Sequence, residues 1–344
     1  MGDGGSITPR IGTMKTLLGL IAGAGASYVI YKLISGGSLR RYKKSGRHAV
    51  AASKDNDDNS VRPDSLLAKV SGLEVVCPPK SDDSYDLIQQ SAGDLEPHHL
   101  KLLLTSLKNS NSTPCKCRLL VTLGNAAAFT VNQNVIRECD GIAVIGGFLS
   151  DSAQEVKVQA LNVLNNLCVN TQNQEELKVY VPQVLELIEM SSVNSDLQLG
   201  ALRLLTNLSV TDKHHHMLKD SVTLLLSLLV VGNASLQVQT LKVLVNLSSN
   251  PDIMDDIVQA QAPASVMLLF DVQTASPVLL RLLTFAGNLQ AWRPSAQVAK
   301  ELRLKHDCLF RVMLDESSEL NRRLVDLLSH PDREIQGQVA RILT

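Results

Sequence analysis

Short apolar stretches of this chain end, again and again, on an asparagine: LLVTLGNAA around Asn125, ALNVLNNLC around Asn166, ALRLLTNLS around Asn207, TLKVLVNLS around Asn246 and LLTFAGNLQ around Asn288. The asparagines stand 41, 41, 39 and 42 residues apart. The apolar positions around them keep register. Five before each is leucine (Leu120, Leu161, Leu202, Leu241, Leu283), and two before are Leu123, Leu164, Leu205, Leu244 and Ala286. One after are Ala126, Leu167, Leu208, Leu247 and Leu289; eight before are Cys117, Val158, Leu199, Val238 and Leu280. Steps of three place these four columns on one helical face, the core stripe. The asparagine column lies about 140° from the leucine column. That angle turns it out of the stripe, toward an open surface.

A fixed period of about 40 residues marks an α-solenoid, in which each unit buries its apolar face only against its neighbours. Residues 94–344 therefore predict an all-α solenoid of about six units, each with a short helix, a middle helix and a long asparagine-bearing helix. In the first complete unit these are Gln133–Asp140, Ile142–Leu149 and Gln154–Cys168. Capping chemistry precedes the long helices at Ser112-Thr113-Pro114, Asn194-Ser195-Asp196, Asn233-Ala234-Ser235 and Ser276-Pro277. Residues 326–343 align with 147–164 as a partial last repeat with a polar outer side, as a cap requires. Between 291 and 320 the pattern lapses, which predicts irregular helices.

Composition agrees: 44% of residues are hydrophobic but only 3% aromatic, so leucine and valine build the core and strand-like aromatic alternation is absent. The net charge of −1 hides an asymmetry. Residues 1–48 hold eight Lys/Arg against Asp3, a net +7, while the remaining 25 basic and 33 acidic residues give −8.

Between Lys15 and Lys32 lie 16 uncharged residues, TLLGLIAGAGASYVIY. They span about 24 Å as a helix, and the flanking lysines snorkel to extend that reach. This reads as a transmembrane signal anchor over 15–34, after a short tail at 1–14. The competing reading is a cleaved signal peptide, since Ala24-Gly25-Ala26 has small-x-small form. The apolar run past that site and the basic cluster after it argue for the anchor. Basic residues concentrate on its C-terminal side (Arg40, Arg41, Lys43, Lys44, Arg47), which leaves the solenoid in the cytosol and makes the basic excess juxtamembrane rather than nucleic-acid-binding. Gly19 and Gly23 form a G-x-x-x-G that offers an anchor-mediated homodimer. A basic juxtamembrane segment and disordered linker then occupies 35–93, with acid-flanked Ser81 and Ser84 as candidate phosphorylation sites.

Cys77, Cys115, Cys117, Cys139, Cys168 and Cys308 show no disulfide framework, as suits the cytosol. His214-His215-His216 looks like a metal site, but consecutive helical residues diverge, and His214 and His215 align with Asn132-Gln133 and Asn173-Gln174 at the polar start of a short helix. No phosphate loop, nucleophile elbow or H-E-x-x-H is present, so no metal, no cofactor and no enzymatic reaction is expected.

A three-helix unit of this length ending L-x-N-L resembles the armadillo repeat. With TLGNAAAFTVNQ at 122–133, ALNVLNNLCVN at 160–170 and LLTNLSVTDKHHHML at 204–218 behind an anchor, the chain resembles a narrower group. That group is the membrane-anchored armadillo proteins of the mitochondrial surface, the Armcx (Alex) proteins and their autosomal relatives. The resemblance implies a right-handed armadillo solenoid and a non-enzymatic adaptor on the mitochondrial outer membrane. It implies Miro-type GTPases and the motor adaptor Trak as partners, with effects on mitochondrial distribution and dynamics, growth and survival. The alternative is an endoplasmic-reticulum or nuclear co-regulator that sequesters a transcription factor.

Armadillo proteins that hold extended peptides use an asparagine ladder in a groove; Asn125, Asn166, Asn207, Asn246 and Asn288 match it. Four residues earlier, where import receptors carry tryptophan, stand Val121, Asn162, Arg203, Lys242 and Thr284. Without stacking walls, and with Arg203 and Lys242 repelling cations, this groove suits an acidic or neutral peptide. The competing reading is that the asparagines cap backbone between stacked helices. The groove reading expects Ala at Asn166, Arg203 and Asn207 to remove binding with little loss of stability. The glycine that normally parts the first two helices is kept only as Gly141, which leaves open how the bends near Pro182, Asp220 and Pro263 are made.

Overall fold

The computed structural model describes residues 95–292 and 294–344. The expected tail, anchor (Lys15, Gly19, Gly23, Lys32) and linker lie outside the described residues. Among the described residues no helix is long and apolar enough to cross a membrane, and there is no strand beyond an isolated bridge between Gln261 and Cys308. The chain forms two compact units, one running up to Val243 and the other from Leu244.

The first unit opens with α1 (Pro97–Asn109) and the long helix α2 (Thr113–Ala126). One complete repeat follows: α3 (Thr130–Glu138), α4 (Gly141–Gly146) and the long α5 (Gln154–Cys168). The next has α6 (Thr171–Leu177), α7 (Val181–Met190) and the long α8 (Asp196–Leu208). Then come a 3-10 segment (Asp212–Met217), α9 (Val222–Val231) and α10 (Ala234–Ser248), inside which the boundary between the units falls. In the second unit lie α11 (Met254–Gln259), the long α12 (Ser276–Ala291), α13 (Ala296–Leu304), a π-helical turn (Phe310–Leu314), α14 (Leu320–Leu327) and α15 (Arg333–Leu343). The lapse expected after 291 is thus α13 and the π turn, and the expected last repeat supplies α15, which packs on α12.

The core columns are where the period puts them. Every residue five before, two before and one after an asparagine is fully buried. The column eight before is the exception: Cys117, Val158, Leu199 and Val238 are half-buried, and only Leu280 is buried. It lies at the edge of the stripe rather than within it. Long helices pack side by side, α2 on α5 and α5 on α8, so their ends are brought together in register. Local chemistry fixes where they start. Ser195 Oγ accepts from the Gln198 N–H at 3.2 Å, and Asn233 Oδ1 from the Leu236 N–H at 3.0 Å. Asn194, left-handed at φ 68°, accepts the Asn233 N–H on its side chain at 2.8 Å and so links successive turns.

The middle helix is shorter than expected: α4 stops at Gly146 and a 3-10 turn completes it. The bends before the middle helices have two solutions. At the first, Asp140 turns left-handed (φ 54°) and Gly141 follows in close contact with the preceding helix. A Cβ on Gly141 would sit 2.6 Å from the Ile136 carbonyl oxygen, a backbone atom that cannot swing aside. Where glycine is missing, 3-10 turns over Lys178–Tyr180 and Lys219–Ser221 make the bend before α7 and α9, and after Pro263 a 3-10 segment, Ala264–Leu269, takes the place of the middle helix itself. Gly141→Ala is therefore expected to cost about 1.5 kcal/mol, the scale of core overpacking, measured by chemical unfolding.

Candidate functional site

A helix leaves its last carbonyls without intrahelical partners. In this chain those of the long helices are met by side chains from the neighbouring repeat. Asn166 Nδ2 donates to the Gly124 carbonyl at 3.0 Å. Asn207 Nδ2 donates to the Asn165 carbonyl at 3.1 Å and to Asn165 Oδ1 at 2.9 Å. In the second unit, Asn288 Nδ2 donates to the Val245 carbonyl at 3.3 Å and to Ser248 Oγ at 2.8 Å. Each acceptor carbonyl belongs to the residue just before the previous asparagine. The ladder links repeat to repeat.

A second rail runs beside it. Gln133 Nε2 donates to the carbonyls of Ala127 (2.8 Å) and Asn166 (3.1 Å). Gln174 Nε2 repeats the motif with Cys168 (2.9 Å) and Asn207 (3.4 Å). Each glutamine thus joins the end of its own repeat's preceding long helix to the end of the next. Asn132 and Asn173 cap the carbonyls of Ala126 and Leu167, both at 3.0 Å. In the third copy His215 stands in for glutamine, with Nε2 2.7 Å from the Ser209 carbonyl. A carbonyl only accepts, so this nitrogen carries the proton.

Burial pulls the His215 pKa below its ordinary 6.5, against the opposing bond to Ser209. The folded state thus holds a neutral ring that the unfolded chain would protonate. Its contribution is intact above about pH 6.5 and is lost as pH falls from there toward the lower folded pKa. His214 shifts the same way, with burial as the leading cause. His215→Gln, which restores the residue of the aligned copies, is expected to flatten the loss of thermal stability between about pH 6.5 and 5, read from melting temperatures of both proteins across that range.

These bonds correct the expectation that the asparagine column faces an open surface. Asn166, Asn207, Asn246 and Asn288 are buried, with 1%, 0%, 6% and 4% of their surface exposed. A single-helix projection cannot see the neighbouring repeat whose carbonyls draw the amides inward. Asn207 and Asn246 also open N-x-S triplets, and their burial keeps them from acting as glycan acceptors in the folded chain. Asn125 is half-buried. Lys242 is buried as well, so it does not line an open wall as expected.

What remains open in the first unit is the strip one and two turns before the asparagines. Asn162 on α5 and Arg203 on α8 are half-buried. Asn162 Nδ2 donates to Gln159 Oε1 at 3.4 Å, and Arg203 Nε has no hydrogen-bond partner among the described residues. Arg118 is exposed on the same face of α2. In the second unit the equivalent strip holds Thr284 and Arg281, whose buried guanidinium donates to the Pro277 carbonyl at 2.6 Å and whose pKa burial lowers to about 10. The capping role of Gln133 and Gln174 went unread in sequence, although the recurring Asn-Gln pair was its signal. Among the described residues no group of three or more His, Cys, Asp or Glu could hold a metal ion.

The sequence model of the family described as Armadillo-like matches residues 95–314. Among solved structures, a designed armadillo repeat protein in complex with the peptide (KR)4 is similar over 71% of this chain and 98% of its own, at 16% identity and a TM-score of 0.60. A computationally designed armadillo repeat protein for modular peptide recognition matches over 71% and 98%, at 17% identity and a TM-score of 0.60. An engineered protein covers 81% of this chain and 67% of its own, at 19% identity and a TM-score of 0.61.

Proposed function

The chain belongs to the armadillo-like family, and on that premise we propose that it is a non-catalytic adaptor which holds an acidic or neutral extended segment of a partner protein. The observation that carries this reading is the strip of half-buried Asn162 and Arg203 on neighbouring long helices; the enclosed Arg203 Nε has no partner among the described residues. An extended peptide offers main-chain donors and acceptors to Asn162, and a carboxylate matches the guanidinium as a bidentate, charge-assisted pair. The peptide (KR)4 bound by the designed relative has the opposite charge. In this chain a basic ligand would meet Arg118 and Arg203 instead. Fluorescence polarisation with full-length protein tests this. An acidic peptide should bind with salt-dependent affinity and a (KR)4 peptide should not; the reverse preference would reject the reading.

We propose further that residues 15–34 anchor the adaptor in the mitochondrial outer membrane, with the repeats in the cytosol. The support is the uncharged run from Thr16 to Tyr31, its basic C-terminal flank, and the resemblance to the Armcx group. Miro-type GTPases and Trak are the partners that resemblance brings. Deleting residues 1–35 should release the protein from mitochondria. Retention there would remove the anchor from the account, and full-length protein on the endoplasmic reticulum would favour the co-regulator.

A further inference from the structure

The three consecutive histidines part company in the structure. His215 turns inward to the Ser209 carbonyl, while His214 and His216 line a cleft of ≈ 350 Å³ with Glu175, Lys178, Lys213, Val179 and Met217. His214 occupies the position of Asn132 and Asn173, yet its ring makes no carbonyl bond like theirs, and no hydrogen bond among the described residues. Only 3% of its surface is exposed, and it faces this cleft. The one carboxylate there, Glu175, is held by Lys178 at 2.9 Å. Against that single carboxylate, whose charge also reaches His214 and Lys213, the cleft wall sets Lys178, Lys213, His214 and His216.

We propose that this cleft binds a phosphomonoester, presented as a phosphorylated side chain of a partner protein. A phosphoryl group offers three strong acceptor oxygens and near-dianionic charge at neutral pH, matching one ammonium and two imidazoles. The volume sits at the small end of ligand pockets, about 300–1,000 Å³, with room for the phosphoryl group and the side chain that bears it. Val179 and Met217 supply the apolar wall for that side chain.

The neutral state of His214 adds a signature. Burial lowers its pKa, Glu175 opposes that shift, and Lys178, His216 and Lys213 reinforce it. An arriving dianion outweighs these cations and favours the imidazolium, so binding takes up a proton and tightens as pH falls from about 7.5 to 6.5, above the second phosphoryl pKa of about 6. The nearby charge of Asp212 acts on His215, whose ring is turned inward to the Ser209 carbonyl and away from this cleft.

The test is titration of the full-length chain, labelled at histidine, with N-acetyl-phosphoserine amide, inorganic phosphate and acetate, followed by NMR of the imidazole carbon-bound protons. Expected are saturable shifts of His214 and His216, a raised His214 pKa at saturation, and weaker binding of inorganic phosphate than of phosphoserine. Lys213→Ala should weaken binding about tenfold. His214→Asn, which restores the aligned residue and should keep the fold, should abolish the proton uptake. Three results would each overturn the proposal: shifts spread equally over His98, His99 and His306, acetate acting as strongly as phosphoserine, or equal affinity for inorganic phosphate.

Discussion

Asn207→Ala should destabilise the protein by about 3 kcal/mol. The substitution removes two donations from Nδ2, to the Asn165 carbonyl and to Asn165 Oδ1. Both acceptors lie in a region where Asn165 is 1% and Asn207 0% exposed, so water does not replace the donor. Each buried polar group left unmet costs about 1–3 kcal/mol, and the truncated side chain leaves a small cavity as well. In a stacked array the damage is an interface term, shared by the two repeats that Asn207 joins. Urea unfolding should show a lower midpoint with an unchanged slope. The groove reading drawn from sequence alone expects the opposite, normal stability with lost binding.

Arg203→Glu should weaken an acidic peptide about a hundredfold while leaving stability close to that of the parent. Arg203 is half-buried, its enclosed Nε has no hydrogen-bond partner, and among the described residues no ion pair holds it. Its replacement therefore breaks no described pairing within the fold. At the ligand the same change turns a bidentate attraction into a repulsion, and close interfacial charge pairs couple by about 1.5–7 kcal/mol. The loss should shrink at high salt, where the charge term is screened. Polarisation titrations at two ionic strengths read both effects. A full-affinity Arg203→Glu protein would move the contact away from this strip.

The solenoid was legible because its signal is repeated. Leu120, Leu161, Leu202, Leu241 and Leu283 recur in register, and all five are fully buried. Asn207 was not legible in the same way. Its angle around its own helix was read correctly, but its fate depends on the Asn165 carbonyl of another repeat, 42 residues away, which a helical projection leaves out. Gln174 shows a subtler limit. Its alignment with Gln133 and His215 was visible, but only the fold brings Cys168 and Asn207 together beneath one amide. The bends followed the same logic. Gly141 announced one of them, while the 3-10 turns at Lys178–Tyr180 and Lys219–Ser221 carry no residue signature as sharp.

The division of labour between buried asparagines that hold the stack and a half-buried strip that holds the ligand is tested most directly by side-chain amide hydrogen exchange in the full-length protein. The Nδ2 protons of Asn166 and Asn207 should be strongly protected without ligand and unchanged by a saturating acidic peptide, whereas those of Asn162 should exchange freely until the peptide binds. Freely exchanging Asn166 and Asn207 amides that become protected only with peptide would contradict the account and return the ladder to the groove.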